Sequence, residues 1–135
     1  MESSETECPI EETSVTLRIF EPGLLPEDVT QNLGITPDRT HRQGDFPKGN
    51  PKYSAYKHGM WSLKSRIPAD KSLEDHLDSI ITLLEPKQSY IQSLATHASV
   101  DFYWLPYGQS GFQLSPRILK RIAELGATFG VVLYS

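Results

Sequence analysis

The chain is poor in most of the features that mark a known chemistry. A single cysteine, Cys8, among 135 residues excludes an intrachain disulfide and a cysteine-built metal cage. It sits in a glutamate-rich stretch, where no basic neighbour favours a reactive thiolate. No apolar run approaches the ~20 residues of a membrane span. The first residues are acidic rather than basic and then apolar, so neither a secretory signal nor a membrane partner is expected, and the expected setting is a reducing cytoplasm. Gly-X-Ser-X-Gly does not occur, nor does a glycine-rich phosphate loop; Gly108 and Gly111 read as turn residues. The four histidines, His41, His58, His76 and His97, show no ligand pairing at helical or hairpin spacing. These absences assign no catalytic residue, no metal ligand and no cofactor.

What remains is an ordinary globular composition. Hydrophobic residues make up 38% and charged residues 22%, which sets aside a collagen-like or disordered chain. The length is that of one domain with one core. Charge is unevenly placed. Glu2, Glu5, Glu7, Glu11 and Glu12 stand without a Lys or Arg in residues 1–12, read as a flexible acidic tail ahead of a domain over 13–135. Without those glutamates the chain has thirteen basic and twelve acidic residues. Between residues 39 and 71, Arg39, Arg42, Lys48, Lys52, Lys57, Lys64, Arg66 and Lys71 face only Asp45 and Asp70. Phe46, Tyr53, Tyr56 and Trp61 are interleaved with them. Basic residues among aromatics can hold phosphates and stack bases; the plainer reading is a solvated loop with a few anchors.

Hydrophobic periodicity orders the rest. Val15, Leu17 and Ile19 alternate with Thr16, Arg18 and Phe20, the pattern of a strand with one face on a core. Pro26 opens a short helix that Gly34 ends. Three prolines and two glycines over 35–55 predict a long, mostly irregular loop. A strand over Tyr56 to Ser65 follows, with Trp61 and Leu63 on one face. Ser72 caps a helix whose core side is Leu73, Leu77, Ile80, Ile81 and Leu84. Pro86 should break or kink it by pushing residue 85 away from α geometry. A shorter helix with Tyr90, Ile91 and Leu94 inward comes next. Val100, Phe102 and Trp104 mark a strand, Pro106 to Ser110 a turn, and Phe112 to Leu114 its hairpin partner. Ser115 and Pro116 open a last helix with Ile118, Leu119, Ile122 and Leu125 inward, and Thr128 to Tyr134 closes the chain as a strand.

The expected fold is an α+β two-layer sandwich, a largely antiparallel sheet with helices on one face. Leu24-Leu25-Pro26 leading to Gly34 echoes Leu114-Ser115-Pro116 leading to Gly126, which suggests ferredoxin-like duplicated β-α-β halves. The other sheet face should then carry Thr16, Arg18, Phe20, Asp101, Tyr103, Thr128 and Tyr134. Such a mixed face can be a binding platform, as in the sheet of RNA-recognition domains; the first expectation is that it is roofed by the long loop or closed by a second copy, a homodimer, since exposed aromatic patches are usually covered.

The candidate binding residues are Arg39, His41, Arg42, Asp45, Lys52, Tyr56 and Trp61. Two arginines three apart beside hydroxyls and a glycine turn could grip a carboxylate or phosphate. The alternative is internal pairing of Asp38 and Asp45 with those arginines. Trp61 shares a strand face with Leu63 and reads first as a core anchor; His76, beside its helix's apolar face, reads first as a packing residue. His41, Asp45 and His76 are the residues that an enzymatic reading would use.

In order and spacing, Leu33-Gly34-Ile35-Thr36-Pro37, Gly44-Asp45, Trp61-Ser62-Leu63 and Ser72-Leu73-Glu74-Asp75-His76-Leu77 resemble a bacterial family, domain-of-unknown-function family 4279. Leu114-Ser115-Pro116 through Leu125-Gly126 to Leu133-Tyr134 fits its close, so the resemblance spans about residues 14 to 134. It implies a small cytosolic α+β domain and carries over no catalytic residues. Small single-domain bacterial proteins of this sort often include immunity proteins, by analogy. The leading expectation is a non-enzymatic binding module whose partner is another protein, as in an immunity-type protein. The alternative is nucleic-acid or nucleotide-phosphate binding through residues 39–71.

Overall fold

The computed structural model describes residues 14–106 and 111–132. Strand β1 (Val15–Glu21) is central. Its Val15, Leu17 and Ile19 are fully buried, while Thr16, Arg18 and Phe20 are half-buried on the opposite side. It pairs antiparallel with β3 (Gly59–Lys64) and with β4 (Ser99–Trp104). Strand β2 (Arg39–His41) lies antiparallel outside β3, and β5 (Thr128–Val131) lies parallel outside β4. The sheet order is β2-β3-β1-β4-β5, mixed and mostly antiparallel.

Helix α1 (Pro26–Leu33) connects β1 to β2; Pro26 opens it, and Gly34, at φ 70°, donates its N–H to the Thr30 carbonyl. Helix α2 (Leu73–Leu84) starts where the Ser72 hydroxyl accepts from the Asp75 N–H at 3.1 Å. Pro86 does not push Glu85 out of helical geometry (φ −57°, ψ −37°). A single 3₁₀ turn over Glu85–Lys87 absorbs the missing N–H, and the chain runs on into α3 (Gln88–Ala95). Helix α4 (Pro116–Glu124), capped by Ser115, connects β4 to β5. Its inward residues are Ile118, Ile122 and Leu125; Leu119, a quarter turn away from Ile118, is exposed rather than in the core.

Buried residues of all four helices and the inward side of the sheet form one apolar cluster, so the helices share one face of the sheet. Trp61 is fully buried within it, its indole N–H donating to the Thr30 hydroxyl at 2.9 Å. Where the chain leaves β1, the backbone packs closely: a Cβ at Gly59 would lie 2.3 Å from the Leu24 carbonyl oxygen. No helix of the described residues is long and apolar enough to cross a membrane.

Two further expectations are corrected. Residues 39–41, expected inside the loop, form β2, because Thr40 sits across from the buried Trp61 and the pairing is set by that partner. Phe112 to Leu114 is not a strand; the neighbour of β4 is β5, reached through α4, so a parallel crossover replaces the hairpin. Residues 107–110 of the expected turn, the acidic tail, and Leu133 and Tyr134 lie outside the described residues. The two echoing segments open α1 and α4, but their settings differ. Strand β3 intervenes between β1 and β2, whereas β4 and β5 are adjacent.

Candidate functional site: the uncovered face of the sheet

With the helices on one side, the other side of the sheet is free to meet a ligand. Strand register arranges its residues in rows, with neighbouring strands about 4.8 Å apart. The central row reads Arg39, Ser62, Arg18, Asp101 and Thr128 from edge to edge. Lys64, Thr16, Tyr103 and Gly130 form the row on one side, and His41, Met60, Phe20 and Ser99 that on the other. Every described residue expected on this face from β1, β4 and β5 is there, and none is buried.

Arg18 is the best-anchored side chain of the face. Its Nε and Nη2 donate to the two Asp101 carboxylate oxygens at 3.1 and 2.9 Å, a bidentate pair between directly opposed residues. The guanidinium also lies 4.6 Å from the Tyr103 ring centroid and 5.4 Å from that of Phe20. The Asp101 hydrogen bond holds the Arg18 pKa above its already high ordinary value. Arg39 and Lys64 are exposed and have no carboxylate partner among the described residues. Asp38, on the rim, is already occupied: one oxygen accepts from the Lys64 backbone N–H at 2.6 Å, the other from Arg66 at 3.1 Å. Arg18, Arg39, Ser62, Lys64, Thr16 and Tyr103 together line a depression of about 430 Å³.

The long loop reaches only one end of this face. It is tied back on itself, the Gly44 N–H donating to the Tyr56 carbonyl and the Tyr56 N–H to that of Asp45. His58 meets Phe20 edge-on at 5.9 Å, and among the described residues nothing closes the depression between β2 and β4. The expected roof is therefore absent over Thr16, Ser62 and Tyr103, because the loop spends its length on its own turn.

The seven candidate residues do not form one site. Arg39 belongs to the depression. His41 lies at the end of β2 and stacks on Tyr56, ring centroids 3.5 Å apart and 7° from parallel. Burial there lowers the His41 pKa, and its Nδ1 is buried without a hydrogen bond. Arg42 pairs with Glu27 of α1, and the Asp45 carboxylate accepts from the Arg42 N–H at 3.0 Å, closing the turn. Lys52 is exposed on the loop beside Asn50, which accepts its N–H. Trp61 offers no ring face to solvent.

His76 stands on the helix side of the sheet, 1% exposed, its Nδ1 2.6 Å from the Ser65 hydroxyl. Burial lowers its pKa, with Asp75 and the Pro68 and Ala69 carbonyls acting the other way. His41 opposes Met60 and His76 touches Ser65, five residues along the chain and on opposite faces, about 16 Å of strand. His41, Asp45 and His76 share no reaction centre.

Thr16, Arg18, Ser62, Lys64 and Tyr103 are lining residues that the candidate set left out. The alternation of Trp61 and Leu63 inward already turns Ser62 and Lys64 outward.

These features define a small α+β domain with one covered and one open sheet face and a cationic depression on the open side. Residues 11–135 match the model of the family described as Domain of unknown function (DUF4279), and the chain belongs to that family. No curated protein and no solved structure is significantly similar to it.

Proposed function

We propose that this chain is a non-enzymatic protein-binding module of the immunity type, and that its open sheet face recognises an acidic partner protein. The carrying observation is the pair of cations without a carboxylate partner among the described residues, Arg39 and Lys64, beside the pre-oriented Arg18 on a face that none of the described helices covers. Complementary charge speeds encounter and selects partners. A half-apolar face with Met60, Phe20 and Tyr103 beside the cations supplies contact area. The single cysteine supports a cytoplasmic setting. The strand order β2-β3-β1-β4, with crossovers through α1 and through α2–α3, supports reading the first four strands as a ferredoxin-like unit extended by α4 and β5.

The test is affinity capture of the tagged chain from its own host at low and moderate salt, wild type beside R39E/K64E. One stoichiometric protein that survives moderate salt and is lost from the double variant is the expected result. Retention of that protein by R39E/K64E, or recovery of a second copy of the chain alone, contradicts the reading.

A second reading is favoured by a different observation. Phe46 and Tyr53 are 41% and 48% exposed on the loop beside Lys48 and Lys52, an arrangement that suits stacking on a single-stranded nucleic acid. It predicts a high 260/280 nm absorbance ratio in the capture, lost with salt and in K48E/K52E.

A further inference from the structure

Resting on the reading of the open face as the recognition surface, we propose that its centre is a site for one phosphate monoester, carried on a side chain of the protein partner. A guanidinium has five N–H donors, and Asp101 uses two of those on Arg18, at Nε and Nη2. Both Nη1 hydrogens and one on Nη2 remain, on a group already fixed by the carboxylate and by two ring contacts. Little ordering cost is left for a ligand to meet.

Ser62 lies directly between Arg18 and Arg39 in the central row; it is buried, its hydroxyl donates to the Arg39 carbonyl at 3.4 Å, and its small side chain makes a low floor. Lys64 is two residues further along the same strand and points to the same side. Thr16 and Tyr103 line the same depression with two more hydroxyls.

Charge and donor number select the ligand. Among the described residues Arg39 and Lys64 have no carboxylate partner, Arg18 is matched by Asp101, and Asp38 is held by Arg66 and the Lys64 N–H. A group of charge near −2 with three acceptor oxygens balances the two free cations and satisfies the surrounding donors, and a phosphate monoester is such a group. A single carboxylate would leave one cation unmatched. The depression lies on the sheet surface between β2 and β4 and is not enclosed, which fits a phosphoryl group presented by a larger partner.

The test is a titration of the full isotope-labelled chain by nuclear magnetic resonance at constant ionic strength. The probes are inorganic phosphate, acetate, a short peptide with one phosphoserine, and the same peptide unphosphorylated. The phosphopeptide should give saturable shifts at the amides of Thr16, Ser62, Lys64 and Tyr103 and at Arg18 Nε. Its affinity should exceed that of the unphosphorylated peptide, and of acetate, by about tenfold or more. R39Q/K64Q should lose that preference while its other signals stay in place, and K48Q/K52Q should keep it.

Shifts that do not saturate, that centre on residues 46–57, or that persist in R39Q/K64Q overturn the site. Inorganic phosphate binding as tightly as the phosphopeptide overturns the protein-borne source in favour of a free phosphate. Failure here with partner capture still abolished by R39E/K64E removes the phosphate assignment alone; survival of capture in R39E/K64E removes the face itself.

Discussion

Strand β1 shows the two faces of this protein one residue apart. Val15, Leu17 and Ile19 are fully buried against the helices, and Thr16, Arg18 and Phe20 face the open side. Strand β3 and the residue that follows it repeat the contrast in two serines. Ser62 sits among cations at the floor of the open depression, whereas Ser65 is locked between the Val15 N–H and the buried His76. Among the described residues, cohesion is concentrated on one side of the sheet and charge without an ion-pair partner on the other. Substitutions on the two faces should therefore fail in different ways.

The largest effect should come from the covered face. Phe102 is fully buried, and Phe102→Ala is expected to cost about 3–5 kcal/mol in urea unfolding. Its neighbour Tyr103 points to the open face, and Tyr103→Ala should cost about 1 kcal/mol or less. Equal losses at the two positions would break the distinction. Next comes Gly59→Ala. The new methyl would collide with the Leu24 backbone, and a loss of about 1–3 kcal/mol is expected from the forced shift. An unchanged midpoint in urea would show that this approach is not tight.

A smaller effect concerns pH. The unfolded His76 titrates near its ordinary 6.5, and burial lowers the folded value. Between those two values the unfolded chain holds more protons, so stability is full above pH 6.5 and falls as the pH drops through the window. His41 is shifted in the same direction and adds to the slope. Unfolding free energies measured from about pH 7 to pH 5 should decline for the wild type and less steeply for His76→Gln. Identical slopes for the two chains would remove His76 as the source.

Local patterning made much of this architecture readable. Alternation over residues 15–20 located β1 and both of its faces, and Ser72, Ser115, Pro26 and Gly34 marked helix ends at the observed places. What was hidden depends on partners distant in sequence. Three residues between Pro37 and Gly44 carry too little pattern to announce β2, and they form a strand because β3 lies beside them. Phe112 and Leu114 alternate like a strand but have no ladder to join; the edge of β4 is taken by β5. The site was half legible for the same reason. Arg39 stood out in a basic run and Arg18 on an alternating strand, but only the sheet register brings them to either side of Ser62. Arg42 and Asp45, closer to Arg39 in sequence, turn instead to Glu27 and to the loop itself.

The most direct test of the two-face account measures stability and partner capture on the same variant, R39E/K64E. Both positions are exposed and without ion pairs among the described residues, so unfolding should stay within about 0.5 kcal/mol of the wild type while the captured partner is lost. A variant that unfolds several kcal/mol more easily, or one that still retains the partner at moderate salt, contradicts the account.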